Sequence, residues 1–183
     1  MLFVDEAHAI GILGSEGRGL CNKVSSPITM ISGTFGKAFG SGGAFLAGSK
    51  NTMDYLLQTS GAFRYTTALS PALAAAALEA LRLIQNNPDW GKDLQYRSNH
   101  WRSILMAQNW RCLPGNSPII PLIIGSDQKA LNCQSHLEKE GLLTVAIRPP
   151  TVPEGTSRLR LILRRDLPDG TLDRLIASLK EFL

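Results

Sequence analysis

One segment of the chain, SGTFGKAFGSGG at residues 32–43, sets five glycines and three hydroxyl side chains around the single lysine Lys37. Apolar stretches at 28–32 and 44–47 flank it, and we predict a strand in each. A tight loop between two strands lies at a sheet edge, where ligands of α/β proteins commonly bind. Glycines allow a bulky ligand to approach the backbone closely. The segment therefore predicts a ligand site that includes Lys37 and the hydroxyl of Thr34, although an isolated loop lysine is by default a solvated surface residue.

A second polar cluster follows the first apolar run, Leu2–Val4, in the string VDEAHAIG at residues 4–11. A run of this kind predicts a buried strand that ends at Asp5. A lysine beside a cationic or desolvating group loses its proton and becomes an amine nucleophile. The pyridine nitrogen of pyridoxal phosphate (PLP) needs a carboxylate partner, which keeps the ring an electron sink. Asp5 and Lys37 together therefore indicate PLP chemistry, which neither residue indicates alone.

The letters DEAH at residues 5–8 also match the second motif of a large helicase family. That interpretation requires a phosphate loop of the form GxxxxGK[ST]. The segment around Lys37 departs from the form, because Ile31 replaces the first glycine and Ala38 replaces the hydroxyl residue. The nucleotide-hydrolase interpretation is therefore the weaker of the two.

Composition restricts the remaining functions. The net charge of +4 comes from scattered basic residues, which does not indicate a nucleic-acid surface. The three cysteines and three histidines show no metal-ligand spacing, so we expect no metal site and a reducing, cytoplasmic location. No apolar stretch approaches the length that spans a bilayer.

The order of predicted elements indicates an α/β protein with two parts. We place a boundary near residue 87, with part of a large α/β domain at 1–87 and a small α+β domain at 88–183. Further strands are predicted at 63–67, 119–124, 142–147 and 158–164. Helices are predicted at 50–59, 71–85, 89–108, 128–140 and 172–182, the second of them starting at Ser70-Pro71.

Four ordered blocks carry a family resemblance: VDEAHAIGILGSEGRG at 4–19, SGTFGKAFGSGGA at 32–44, RYTTALSP at 64–71 and RPPTVPEGTSRLR at 148–160. Together they resemble the α-oxoamine synthases, which are fold-type I PLP enzymes. Members of that family condense an amino acid with an acyl thioester and release CO2. The resemblance runs from residue 2 to the C-terminus and implies small-molecule substrates and a homodimer.

The resemblance also implies a role for each matching residue near the cofactor. Lys37 would bind PLP covalently and move the proton at the substrate α-carbon. Asp5 would pair with the pyridine nitrogen, and His8 would hydrogen-bond the phenolic oxygen. Thr34 would contact the phosphate. Taken alone, a histidine three residues after an aspartate is more often a loop residue without a catalytic role.

Four further residues are implied by the same matches. Thr66 and Thr67 resemble residues that reach the phosphate across the dimer interface. Thr151 would line the substrate site, although a threonine between prolines is also a common turn residue. Arg160 would bind the substrate carboxylate in a bidentate pair. Arg158 competes for that role, because alternate residues of a strand project from the same face.

Members of this family are longer than the present chain, which matches their C-terminal half. The early start of an apolar strand at residue 2, without a polar approach, likewise suggests a chain that begins inside a domain. We therefore expect either a fragment of a longer enzyme or a truncated relative without catalytic activity.

Overall fold

The computed structural model describes residues 1–182. The chain divides into two compact units, Met1–Lys92 and Asp93–Leu183. The division falls a few residues beyond the predicted boundary near residue 87. The assignment of 1–87 and 88–183 to two domains of one enzyme stays a prediction.

The first unit contains a three-stranded sheet in the order β1-β2-β3. Its strands are β1 (Phe3–Asp5), β2 (Met30–Thr34) and β3 (Ala44–Gly48). Strands β1 and β2 are parallel, with Asp5 opposite Ser32, and β3 runs antiparallel to β2. Both β1 and β2 therefore end at the same edge of the sheet, which brings the two predicted ligand-binding segments together.

The predicted burial of the first strand is wrong for the described chain. Phe3 in β1 is 53% exposed and Leu46 in β3 is 51% exposed. Their apolar side chains suit a covered sheet, but the described part of the chain leaves them largely in contact with solvent.

Two of the three helices of the first unit begin at a serine cap, and the cap at Ser70 is the one that the sequence predicts. The three helices are α1 (Lys50–Thr59), α2 (Gly61–Arg64) and α3 (Pro71–Asn86). The Thr52 N–H donates to Ser49 Oγ over 3.2 Å at the start of α1. The Ala72 N–H donates to Ser70 Oγ over 3.3 Å at the start of α3, which satisfies an amide that has no partner within the helix.

The strand predicted at 63–67 is wrong. Helix α2 occupies the start of this segment, and the N–H groups of Phe63 and Arg64 donate to the carbonyl of Ser60. Residues 65–70 form no strand. Aromatic and β-branched side chains favour a strand only when a neighbouring strand pairs with them, and no described strand pairs with this segment.

The second unit is an antiparallel sheet with helices. Its strands lie in the order β4-β6-β5, so β6 is central. The elements follow the prediction closely, except that β5 is shorter than predicted: α4 (Trp90–Ala107, beginning in the first unit), β4 (Ile119–Gly125), α5 (Asp127–Lys139), β5 (Val145–Ile147), β6 (Ser157–Ile162) and α6 (Thr171–Leu179).

The core of the second unit packs against one face of β6. Leu159 and Leu161 are buried in a cluster that also includes Trp101, Leu137 and Leu179. The alternation of strand side chains turns Arg158 and Arg160 to the opposite, half-buried face. The core therefore fixes the face of β6 from which both arginines project.

We predict that Leu159→Ala lowers the free energy of unfolding of the second unit by about 2–5 kcal/mol, because it leaves a cavity in a packed core. Urea denaturation followed by circular dichroism measures the change. Leu143→Ala, at a side chain that is 85% exposed, is the matched control and should change stability by less than about 0.5 kcal/mol. Equal effects of the two substitutions would contradict this account of the core.

Candidate active site

The turn after β1 is closed by backbone hydrogen bonds around Glu6. The Glu6 N–H donates to the carbonyl of Ser32 over 2.8 Å, which continues the pairing of β1 with β2. The Glu6 carbonyl accepts from the N–H groups of Ala9 and Ile10 at 2.8 and 3.0 Å. The chain therefore turns tightly after Asp5, and His8 lies on this turn.

Asp5 is exposed and carries a carboxylate that stays ionised. A hydrogen bond from the Ala7 N–H, 2.8 Å from Oδ1, does most to lower its pKa. Slight burial opposes the shift, while the Ser32 hydroxyl and the charges of Lys37 and His8 add to it. Asp5, His8 and Lys37 therefore lie close enough to interact, as the sequence predicts.

The loop that bears Lys37 is fastened at its base. The Phe35 N–H donates to the carbonyl of Gly43 over 2.9 Å, and the Ser41 N–H donates to the carbonyl of Phe35 over 2.8 Å. Thr34 Oγ1 donates to the Gly43 carbonyl and accepts from the Gly36 N–H, each over 3.1 Å. Lys37 is exposed on this loop, and its ammonium group forms no hydrogen bond or ion pair with the described residues.

Two glycines of this region are required by packing within the protein. A side chain on Gly33 would collide with the ring of Phe45. Gly43 has a φ of +98°, and a Cβ there would lie 2.5 Å from a methyl group of Leu69. The sequence interpretation assigned the glycines to ligand approach alone, but these two let the loop pack against the first unit.

Glu6 is a site residue that the sequence interpretation did not select. Its side chain is only 2% exposed. Its Oε1 accepts from the Cys21 N–H over 2.6 Å, and its Oε2 accepts from the Leu20 N–H over 3.1 Å. Burial would raise the pKa of Glu6, but these hydrogen bonds and one from the Cys21 thiol leave it lowered. The sequence contains a signal for this residue, because Glu6 immediately follows a predicted strand and precedes the glycine-rich segment at residues 11–19.

Ser32 is the other residue that the sequence interpretation missed. It lies opposite Asp5 in the parallel register, and its hydroxyl helps to lower the pKa of the Asp5 carboxyl. The signal was its position as the first residue of the SGTFGK string, although the register could not be read from the sequence.

Thr66 and Thr67 are exposed in the segment between α2 and α3. Their hydroxyls form no hydrogen bond with the residues that the structure describes. The structure therefore leaves their hydroxyls available, and no hydrogen bond among residues 1–182 joins either to Asp5 or Lys37. Their role stays a prediction.

Thr151 and Arg160 belong to the second unit. Thr151 is exposed and follows the Pro149-Pro150 turn, with its N–H donating to the carbonyl of Arg148 over 3.0 Å. Thr151 is thus a turn residue, which neither supports nor opposes a role in substrate binding.

Arg158 and Arg160 project from the same face of β6 but differ in their partners. The Arg158 guanidinium donates to the carbonyl and the hydroxyl of Thr156, each over 2.9 Å. The Arg160 guanidinium has no hydrogen bond or ion pair among residues 1–182. Arg160 also lines a cavity of about 470 Å³ within the second unit, beside the buried Thr144. Of the two arginines, Arg160 is the one whose guanidinium is wholly uncommitted among residues 1–182.

The ionised carboxylate, the uncommitted lysine and the nearby imidazole fit the requirements of PLP. A carboxylate that stays ionised can pair with a protonated pyridine nitrogen, and an exposed amine can reach the cofactor aldehyde. This cluster on the first unit, carried by an α/β sheet, is typical of a PLP-dependent transferase.

Comparison with known proteins agrees with this class. Residues 1–179 match the aminotransferase class I and II family, and the chain belongs to that family. It is 38% identical to 8-amino-7-oxononanoate synthase of Saccharophagus degradans, and the alignment covers the whole chain and 47% of the relative. The chain spans about half the length of the curated relatives it matches.

Solved structures give the same fold. Serine palmitoyltransferase from Sphingomonas wittichii has a TM-score of 0.90 at 25% identity, with 99% of this chain and 46% of that chain covered. An 8-amino-7-oxononanoate synthase from Francisella tularensis has a TM-score of 0.83 at 29% identity, with 98% and 52% covered.

These findings confirm the predicted fold class, a fold-type I PLP transferase of the α/β type, and the resemblance to the α-oxoamine synthases. Pyridoxal phosphate is the cofactor of this family, as predicted. The family match includes residues 5–8, so the DEAH string belongs to a PLP enzyme and the helicase interpretation is set aside. Among residues 1–182, no helix has both the length and the apolar character needed to cross a membrane.

We predict slow alkylation of Cys21 in the folded chain. The hydrogen bond to Glu6 raises the pKa of the Cys21 thiol to about 11, with help from burial and from the Glu6 charge. The thiolate is the reactive form, so at pH 8 the rate should be about a hundredfold below that of an unperturbed cysteine. Iodoacetamide labelling with peptide mapping by mass spectrometry measures this rate.

The same chain unfolded in urea is the control, because it removes both the Glu6 contact and the burial. In the folded chain the labelling of Cys21 should keep accelerating above about pH 9, where a free cysteine levels off. Labelling of the folded chain at the unfolded rate would contradict the hydrogen bond to Glu6.

Proposed function

We propose that this chain binds pyridoxal phosphate through Lys37 and carries part of the active site of an enzyme that condenses an amino acid with an acyl thioester, releasing CO2. The observation that carries the proposal is the cluster of Asp5, His8 and Lys37 at the carboxyl ends of two parallel strands. The family match supports the same chemistry.

The role of each residue follows from its chemical group. The amine of Lys37 would hold the cofactor through its aldehyde carbon, with release of water, and would later hold the proton removed from the substrate α-carbon. The ionised Asp5 would pair with the pyridine nitrogen, and His8 would donate to the phenolic oxygen. Thr34 would contact the phosphate by turning its hydroxyl away from the Gly43 carbonyl. When bound, the cofactor supplies an electron sink for bond cleavage at the α-carbon.

For the substrates, we propose L-alanine and a pimeloyl thioester, carried by coenzyme A or by a carrier protein. The product would be 8-amino-7-oxononanoate, a precursor of biotin. The curated relatives bear the name of that synthase, and the string PPTVPEGTSRLR at 149–160 is the part of the chain that most resembles it.

In the second unit, Arg160 would bind the carboxylate of the amino acid and Thr151 would line the same site. The free donors of Arg160 favour it over Arg158, whose guanidinium is held by Thr156. A planar guanidinium matches a carboxylate in a bidentate pair. Thr66 and Thr67 would reach the phosphate of a partner subunit in a cytoplasmic homodimer.

Two alternatives belong to the same family. Another α-oxoamine synthase would use glycine with a short acyl-CoA, as 2-amino-3-ketobutyrate ligase and 5-aminolevulinate synthase do. A truncated relative would bind the cofactor without turnover. Product analysis with alanine and with glycine distinguishes the first alternative from the proposed reaction. Cofactor binding without product would indicate the second alternative.

We predict that the chain mixed with PLP develops a visible absorbance band that borohydride fixes covalently, and that Lys37→Ala abolishes it. Only a primary amine at this position can form the reducible linkage. Lys37→Arg, which keeps the positive charge, should also lack the band. Lys23→Ala, at an exposed lysine outside the loop, should retain it.

Mass spectrometry after reduction identifies the modified lysine. A reduced cofactor on another lysine would contradict the proposal. Absence of the band from the wild-type chain, both alone and when extended to family length, would also contradict it.

We further predict that Arg160→Ala weakens amino-acid binding by about ten- to a hundredfold, because it removes a charge-assisted pair of about 1.5–3 kcal/mol. The change in absorbance of the lysine-bound cofactor on titration with L-alanine measures the dissociation constant. Arg158→Ala is the matched control and should change binding by less than about threefold. A larger effect of Arg158→Ala would reassign the carboxylate to that residue.

A further inference from the structure

Glu6 is a carboxylate enclosed within the first unit. Only 2% of its surface is exposed, and acidic side chains are seldom buried to this extent unless they are paired. No basic side chain forms an ion pair with it among residues 1–182. Its negative charge must therefore be stabilised by hydrogen bonds.

The donors all come from one short segment. The N–H groups of Leu20 and Cys21 donate to the two carboxylate oxygens, and the Cys21 thiol adds a third hydrogen bond. Leu20 is also the first residue of a 3-10 turn, Leu20–Lys23. An N–H at this position has no partner within the turn, so the carboxylate serves as its acceptor.

The backbone is shaped to admit the carboxylate. Gly19 has a φ of +86°, and a Cβ there would lie 3.0 Å from the Glu6 carboxylate atoms. The Gly19 N–H donates to the carbonyl of Leu13 over 2.9 Å, and this hydrogen bond holds the end of the loop in place. A larger residue at position 19 would displace the carboxylate or the loop.

Through its own backbone, Glu6 joins this loop to the predicted cofactor residues. Its N–H donates to Ser32, and its carbonyl accepts from Ala9 and Ile10. The residue directly before it is Asp5, and His8 lies within the turn that its carbonyl closes. The backbone of Glu6 therefore connects the 19–21 segment to both groups that would touch the cofactor.

We propose that Glu6 is a positioning residue, which holds Asp5 and His8 in the geometry that the cofactor requires by anchoring the 19–21 segment. The inference rests on the proposed function. Glu6 does not touch the cofactor itself. It acts by fixing the turn from which the ring-nitrogen partner and the phenolic-oxygen partner project.

The inference has a spectroscopic consequence that a purely structural role lacks. A close Asp5 keeps the ring nitrogen protonated, and that positive charge disfavours a second proton on the nitrogen that links Lys37 to the cofactor. When Asp5 is loosened, the linking nitrogen holds its proton more tightly. The pH midpoint of the absorbance change should then move upward.

The test compares Glu6→Gln with Glu16→Gln in the form that binds the cofactor, alone or extended to family length. Glu16 is a matched control, because it is an exposed carboxylate in the same loop that pairs with Arg18. Glutamine at position 6 keeps the shape of the side chain. Its amide N–H group would face a backbone N–H group, and two donors cannot form a hydrogen bond. We expect Glu6→Gln to raise the pH midpoint by roughly half a unit or more and the PLP dissociation constant by about tenfold.

A second variant, Leu20→Pro, keeps the test decisive if Glu6→Gln does not fold. It removes one donor to Glu6 at the first position of a helical turn, where proline is tolerated, and its side chain is exposed. It should shift the midpoint and the dissociation constant in the same direction by a smaller amount. If Glu6→Gln does not fold, the result for Leu20→Pro decides.

The possible outcomes distinguish failure of the positioning role from failure of the proposed function. A wild-type midpoint and dissociation constant in a folded Glu6→Gln variant would overturn the positioning role and leave the proposed function intact. Equal shifts in Glu16→Gln would also overturn it, because they would show a general effect of charge. Absence of any lysine-bound cofactor with wild-type residues would overturn the proposed function and this inference together.

Discussion

The parallel pairing of β1 with β2 is the interaction on which the candidate site depends. It sets Asp5 opposite Ser32, and the Glu6 N–H extends it by one further bond to the Ser32 carbonyl. Because both strands end at this edge, the turn after β1 and the lysine loop after β2 leave the sheet side by side. A slip of one residue would turn these side chains to the other face and would separate Asp5 from Lys37.

Local sequence signals predicted most of the elements, and long-range packing decided the remainder. Ser70 caps a helix where the sequence places it, because a cap depends on residues within one turn. The segment at 63–67 has strand propensity but no strand partner, so it forms a helical turn and a loop. Pairing partners are distant in the chain, and single-sequence patterns do not contain them.

The same distinction applies to the site. Lys37, Asp5 and Thr34 stood out because unusual residues occur together over a short span. Glu6 did not, since its role depends on the distant Leu20 and Cys21. Arg158 and Arg160 were indistinguishable by strand alternation. Only the contacts of Arg158 with Thr156 separate them, because hydrogen-bond partners depend on the turn that precedes β6.

The central claim is that Lys37 and Asp5 hold opposite ends of one cofactor ring. The most direct test is a crystal structure of the protein grown with pyridoxal phosphate. We expect continuous electron density from Lys37 Nζ to the cofactor, with the Asp5 carboxylate at hydrogen-bond distance from the ring nitrogen. Density attached to a different lysine, or a ring nitrogen that faces a group other than Asp5, would contradict it.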